Sequence, residues 1–188
     1  MHLKSREIAF TGLMMAMGVV LILLGGYIGT ATLFFLAASA FLAGMMERNF
    51  SLGMGALYLV GTALLSFFLT PRKLHAATFA AMGIYVLVAE WLEKRQFTEE
   101  KVMSPVLVWG IKFLAYQILL AGALGVLGAL MGMNDVTAGI FGAVSGKFGI
   151  KSGMLSYMFF LLMAEVLWLV FDRAYLFFRR TYGNIFHI

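Results

Sequence analysis

The chain has 188 residues, of which 62% are hydrophobic and 12% charged, and it contains no cysteine. With a mean hydropathy of +0.94, it carries more apolar surface than a soluble domain of this size can bury, so its solvent is a bilayer and one integral membrane domain, residues 1–188, accounts for all of it. The lack of thiols excludes disulfides and thiolate chemistry, and the net charge of +5 reads as basic loops meeting anionic headgroups, with no nucleic-acid partner.

Crossing the hydrocarbon takes about 20 apolar residues, and six stretches come close to or exceed that length. Residues 1–7 are polar, with Lys4 and Arg6, and the apolar run after them lacks a small-residue cleavage site. It is read as a retained first helix, 8–24, that ends at Gly25-Gly26. The second span, 30–46, is closed by Glu47-Arg48-Asn49, and the third, 52–69, by Pro71 with Arg72 and Lys73. The fourth span, 74–91, follows so closely that it must form a helical hairpin with the third, because proline and two charges interrupt a continuous helix. Glu93-Lys94-Arg95 closes that span, and Glu90 is expected to be solvated at the inner interface. The fifth span, 105–131, opens on Pro105, which suits a first helical turn, and the sixth, 153–178, stops at Arg179-Arg180. Residues 132–152 are rich in glycine and too short for a seventh span. They suit an ordered loop or a short re-entrant element over the outer face, or else a flexible connector.

Orientation follows from basic residues. With the amino terminus inside, Lys4, Arg6, Arg48, Lys94, Arg95, Lys101, Arg173, Arg179 and Arg180 lie on the cytoplasmic side, against Arg72, Lys73, Lys147 and Lys151 outside. The positive-inside bias then places both termini in the cytoplasm. The expected architecture is an all-α membrane protein, a six-transmembrane-helix bundle.

Small residues four apart give a helix a face that another backbone can approach. Gly12-x-x-x-Ala16 on the first span, Ala40-x-x-x-Gly44 on the second, and Ala121, Gly125 and Gly128 on the fifth all fit this spacing. The faces on the second and fifth spans are expected to pack inside the bundle. A charge at mid-membrane costs about 2.5–3.5 kcal/mol on insertion scales, so Lys112, Glu165 and Asp172 require partners. Lys112 paired with Glu165 or Asp172 would lock the fifth helix to the sixth. A substrate or proton site is the competing reading, with no relay of carboxylates to extend it. Tyr85, Tyr116 and Gln117 add polar groups near mid-depth.

Catalysis finds no support. His2, His75 and His187 are scattered, and no zinc-protease, nucleophile-elbow or phosphate-loop motif occurs. The chain is read as a non-enzyme with no metal site and no cofactor.

The opening Lys4-x-Arg6-Glu7-Ile8-Ala9-x-x-Gly12-x-x-x-Ala16 resembles the start of substrate-binding (S) components of energy-coupling factor transporters. The length, span count and orientation resemble that family in outline across the chain. The resemblance implies a bacterial cytoplasmic membrane protein that captures a vitamin-like or similar small solute on the outer side. It also implies a transmembrane energy-coupling partner driven by two cytoplasmic ATPases, with Gly12 and Ala16 at the partner surface; here glycine replaces the family's first alanine. The solute site would lie among the outer helix ends: Tyr27, Arg72, Lys73, His75, Thr78, Asn134, Asp135, Lys147, Lys151 and Tyr157. Arg72 and Lys73 favour a carboxylate or phosphate on the solute, or simply stop a helix at a surface loop. Trp91, Trp109 and Trp168 all fall in the inner or middle bundle, which speaks against a thiamin-like aromatic cage. A non-transporting scaffold for cell-envelope or sporulation machinery is the alternative, since it would share the architecture.

Overall fold

The computed structural model describes residues 5–71, 73–98, 104–148 and 152–182. Every regular element among them is helical: α1 (Ser5–Tyr27), α2 (Thr32–Asn49), α3 (Leu52–Leu69), α4 (Lys73–Thr98), α5 (Pro105–Met131), α6 (Met133–Phe148) and α7 (Gly153–Tyr182), with a single 3₁₀ turn at Gly29–Ala31. Six of them, all but α6, are long and apolar enough to cross a membrane. The expected six-span all-α fold is therefore present.

The boundaries shift where a charge was taken as a stop. α4 runs through Glu93, Lys94 and Arg95 to Thr98, and α2 runs through Glu47 and Arg48 to Asn49. A charged side chain does not end a helix when something in the fold receives it: Glu93 on α4 meets Lys112 and Arg179, and Arg48 on α2 donates to the Arg179 carbonyl. Residues 133–148, expected as a loop, re-entrant element or connector, form a 16-residue helix. At about 1.5 Å per residue it is shorter than the roughly 30 Å hydrocarbon layer.

The chain divides into two compact units, residues 1–115 with 175–188, and residues 116–174. In the first unit α2 is central, packed against α1, α3 and α4, and α3 packs against α4 as the hairpin requires. All residues from Ser39 to Glu47 on α2 are buried, so this half-helix has no solvent face. Its neighbours come close because glycines meet aromatic or branched side chains. Gly18 faces the Tyr58 hydroxyl, Gly44 faces Tyr175 and Val86, and Gly83 faces Leu59. Tyr58 donates to the Ser39 carbonyl at 3.0 Å, and the Ser39 hydroxyl donates to the Gly18 carbonyl at 3.2 Å. That chain of bonds ties α3, α2 and α1 together in a medium with no water to satisfy polar groups.

The ends are locally specified. Thr32 donates to the Gly25 and Gly29 carbonyls at the α1–α2 joint, and Ser51 caps α3 by accepting from the Met54 N–H. Thr70 returns to the Ser66 carbonyl at 2.6 Å as α3 ends before Pro71.

In the second unit, α5 and α7 are joined by Tyr116 donating to the Ala164 carbonyl at 2.8 Å and stacking on Trp168 at 5.4 Å. Gln117 donates to Glu165 one residue further on each helix. Phe148 of α6 contacts Phe159 of α7 at 4.7 Å between ring centres. Large apolar side chains such as Leu13, Phe34, Phe68, Leu162 and Phe177 are exposed, as expected of surface that meets lipid.

Candidate functional site

The second unit contains a depression of about 380 Å³ lined from α6 by Asn134, Thr137, Ala138, Ile140 and Phe141 and from the start of α7 by Gly153 and Tyr157. Its size falls in the range of small-molecule sites. Gly132 makes it possible: its φ of +90° lies in the left-handed region that only glycine adopts freely, and this ends α5 and lets α6 begin at once. Thr137 then donates back to the Asn134 carbonyl at 2.9 Å. The lining is apolar with neutral donors and acceptors, and none of these residues is charged.

Two of the expected site residues, Asn134 and Tyr157, are thus brought together. Asp135 is exposed in the first turn of α6 and is not part of the lining. Tyr27, Lys73, His75 and Thr78 belong to the other unit. Tyr27 is 83% exposed. Lys73 donates to the Phe67 carbonyl and lies 4.9 Å over the Phe67 ring, so its ammonium compensates the carbonyl end of α3. Thr78 bonds the Leu74 carbonyl one turn back. His75 lies beside Gly26 on the last turn of α1, with Nδ1 buried and not hydrogen-bonded. Arg72 and Lys151, and the side chain of Lys147, lie outside the described residues.

The polar centre of the first unit had a weak signature in the sequence. Lys112 is buried and donates to Glu93 at 2.9 Å. Arg179 pairs with the other Glu93 oxygen and has Nε 2.9 Å from Glu90 Oε1. Tyr175 donates to that same Glu90 oxygen at 2.5 Å. Glu90, expected to be solvated, is 1% exposed. The ends of α4 and α7 close over it, because its charge is matched by Arg179. Lys112 thus has an acceptor on α4, whereas Glu165 accepts the Gln117 amide; Asp172 is buried. A signal was available: Glu90 and Glu93 are three apart and Tyr175 and Arg179 four apart, so each pair shares a helix face. The small cavity at this centre is only about 10 Å³, less than a ligand needs, so these groups form an internal ionic lock.

The small-residue faces separate cleanly. On α1, Gly12 and Ala16 are exposed together with Ile8, Leu13, Met17 and Val20, and a Cβ on Gly12 would touch nothing among the described residues. On α2, Ala40 and Gly44 are packed inside as expected. On α5 the expectation fails in part: Gly128 is buried, but Ala121 and Gly125 are exposed and nothing stands over Gly125. Spacing marks a smooth face without saying what covers it.

No known protein family matches the chain, and neither does any curated protein or solved structure.

Proposed function

We propose that this chain is the substrate-binding membrane subunit of an importer of the energy-coupling factor type. It would hold a small vitamin-like solute in the α6–α7 depression and pass it through a transmembrane partner energised by two ATPases. The bacterial cytoplasmic membrane, with both termini inside, is the setting this reading requires. The observation that carries it is the bare face of α1: Gly12 and Ala16 point outward while the other small-residue motif near them, on α2, is filled from within. A membrane helix with such a face accepts a second helix at short range.

The depression favours a solute with an apolar body and neutral hydrogen-bonding groups, since Asn134, Thr137 and Tyr157 supply its polar contacts. An anionic solute would instead draw on Arg72 and Lys73, and Lys73 already serves the end of α3. The chain itself is assigned no reaction. The test is co-purification with the energising subunits. Gly12→Leu or Ala16→Leu should abolish it while leaving solute binding intact, and unchanged complex formation would count against the reading.

The second bare face, at Ala121 and Gly125 of α5, favours a scaffold for envelope or sporulation machinery as the alternative, because a scaffold uses several helix-binding surfaces. Mass spectrometry of small molecules retained through gentle purification separates the two: a stoichiometric solute supports transport, and none supports the scaffold.

A further inference from the structure

Glu165 sits near the middle of α7, about 18 Å from its start and about 26 Å from its end at roughly 1.5 Å per residue. It is half-buried, and exposed Leu162 and Leu169 share its row on the helix. On α5, Gln117 donates to one of its oxygens and is flanked by exposed Leu114 and Ile118. A carboxyl group accepts more bonds than this single one. Among the described residues no basic side chain pairs with it. Lys112, the cation expected there, binds Glu93, and Arg179 serves Glu90 and Glu93.

The two helices that hold this group are also the barest spans. Only 11% of the membrane-spanning stretch is buried in α5 and in α7, against 33% to 50% in the first four spans. Ionisable residues at such depth are expensive in hydrocarbon and take a partner. Lipid supplies none, because headgroups lie at the two borders of a layer about 30 Å thick. A small solute is drawn to a concave site, and the depression opens at Tyr157, about 12 Å along α7 from Glu165. A second copy of the chain brings no cation either, since its Lys112 is buried and bound to its own Glu93. What fits is a helix of a different protein.

We propose that the α5–α7 face around Glu165 and Gln117 docks a transmembrane helix of another protein that carries a lysine or arginine at mid-depth. The partner's cation pairs with the Glu165 carboxyl, Gln117 holds that carboxyl in place, and Leu114, Ile118, Leu162 and Leu169 pack against the apolar remainder of the helix. Away from water the pair attracts more strongly than it does on a soluble surface. The inference does not depend on the importer reading, because the α1 face takes no part in it.

The experiment uses the full-length protein in lipid vesicles with synthetic helices of about 20 leucine and alanine residues that carry a central lysine, leucine or glutamate. Energy transfer between labelled protein and labelled helix reports association. The lysine helix should bind about tenfold more tightly than the leucine helix. Glu165→Gln and Glu165→Leu should each abolish that difference without lowering the melting temperature, and Glu165→Lys should shift the preference to the glutamate helix. Gly12→Leu should leave the preference unchanged, which separates this surface from the α1 face. Equal binding of the lysine and leucine helices, or a preference that survives Glu165→Gln, would overturn the proposal. So would displacement of the lysine helix by ethylammonium chloride, which would assign the site to a small cation, or Glu165-dependent dimerisation of the chain alone. Loss of folding in both Glu165→Gln and Glu165→Leu would overturn it as well, by making the carboxyl a structural group.

Discussion

Tyr175 donates its hydroxyl hydrogen to Glu90 at 2.5 Å, across 85 residues of sequence. The same ring packs on Phe41 at 5.3 Å and occupies the space that Gly44 leaves open. One side chain thus completes the apolar enclosure of α2 and supplies a hydrogen bond to a buried carboxylate whose charge Arg179 matches. The relationship explains why Ser39 to Glu47 has no exposed residue and why α4 continues through its charges.

Tyr175→Phe keeps the ring and removes the donor, so it should destabilise by about 1–3 kcal/mol, the cost of leaving a buried polar group short of a partner. Gly44→Leu should be worse, because its side chain meets Tyr175 and Val86 directly. Thermal unfolding in detergent would rank the two, and an unaffected Gly44→Leu would refute the close approach.

Arg179→Met removes the cation shared by Glu90 and Glu93 and should cost about 3–5 kcal/mol, as expected when one side of a buried pair is lost. Arg180→Met, at an exposed neighbour, should stay within about 0.5 kcal/mol. Adding Glu90→Gln and Glu93→Gln to Arg179→Met should recover stability, which a denaturation series of single and combined variants would measure.

Gly132→Ala places a β-carbon on a residue with φ of +90°, where L residues are strained by roughly 1–2 kcal/mol. The melting temperature should fall, and the α5–α6 joint should become more accessible to limited proteolysis. Gly139→Ala, with nothing near its added carbon, should be neutral or slightly stabilising.

Within the depression, Asn134→Ala and Tyr157→Ala alter exposed side chains and should leave the melting temperature nearly unchanged. Each should weaken binding of a co-purified solute by about tenfold or more, the equivalent of one lost hydrogen bond or aromatic contact. Equal retention of solute by wild type and both variants would dismiss this depression as the site.

Gly12→Leu should be tolerated in stability, since no atom of the described residues stands over it, whereas Gly18→Leu should fail because Tyr58 and Ser39 fill that space. Both melting temperatures can be read in the same detergent.

Much of the helical layout was legible from the sequence because long apolar runs have a single solution in lipid, where every backbone N–H and C=O must be satisfied within its own helix. The fifth helix matches at both ends, since Pro105 opens it and Gly132 closes it. The end of α4 was misplaced because Glu90 and Glu93 look like surface residues until Lys112, Tyr175 and Arg179 are brought against them, and that of α2 because Arg48 reaches a carbonyl of α7 far along the chain. Residues 133–148 were not recognised as helix because glycine content lowers local propensity, whereas contacts such as Phe148 with Phe159 supply what propensity lacks. At the candidate site, Asn134 and Tyr157 could be named from their place at helix ends, but Thr137 and Phe141 could not.

Sequence alone determined the solvent, the helical class and the number of spans, because hydrophobic length is a local property that lipid reads directly. Tertiary structure decided which small faces are buried, which charges are paired and where a depression opens. Those depend on the approach of residues far apart in the chain, as Tyr175 approaches Gly44 and Glu90, and no local pattern encodes that distance.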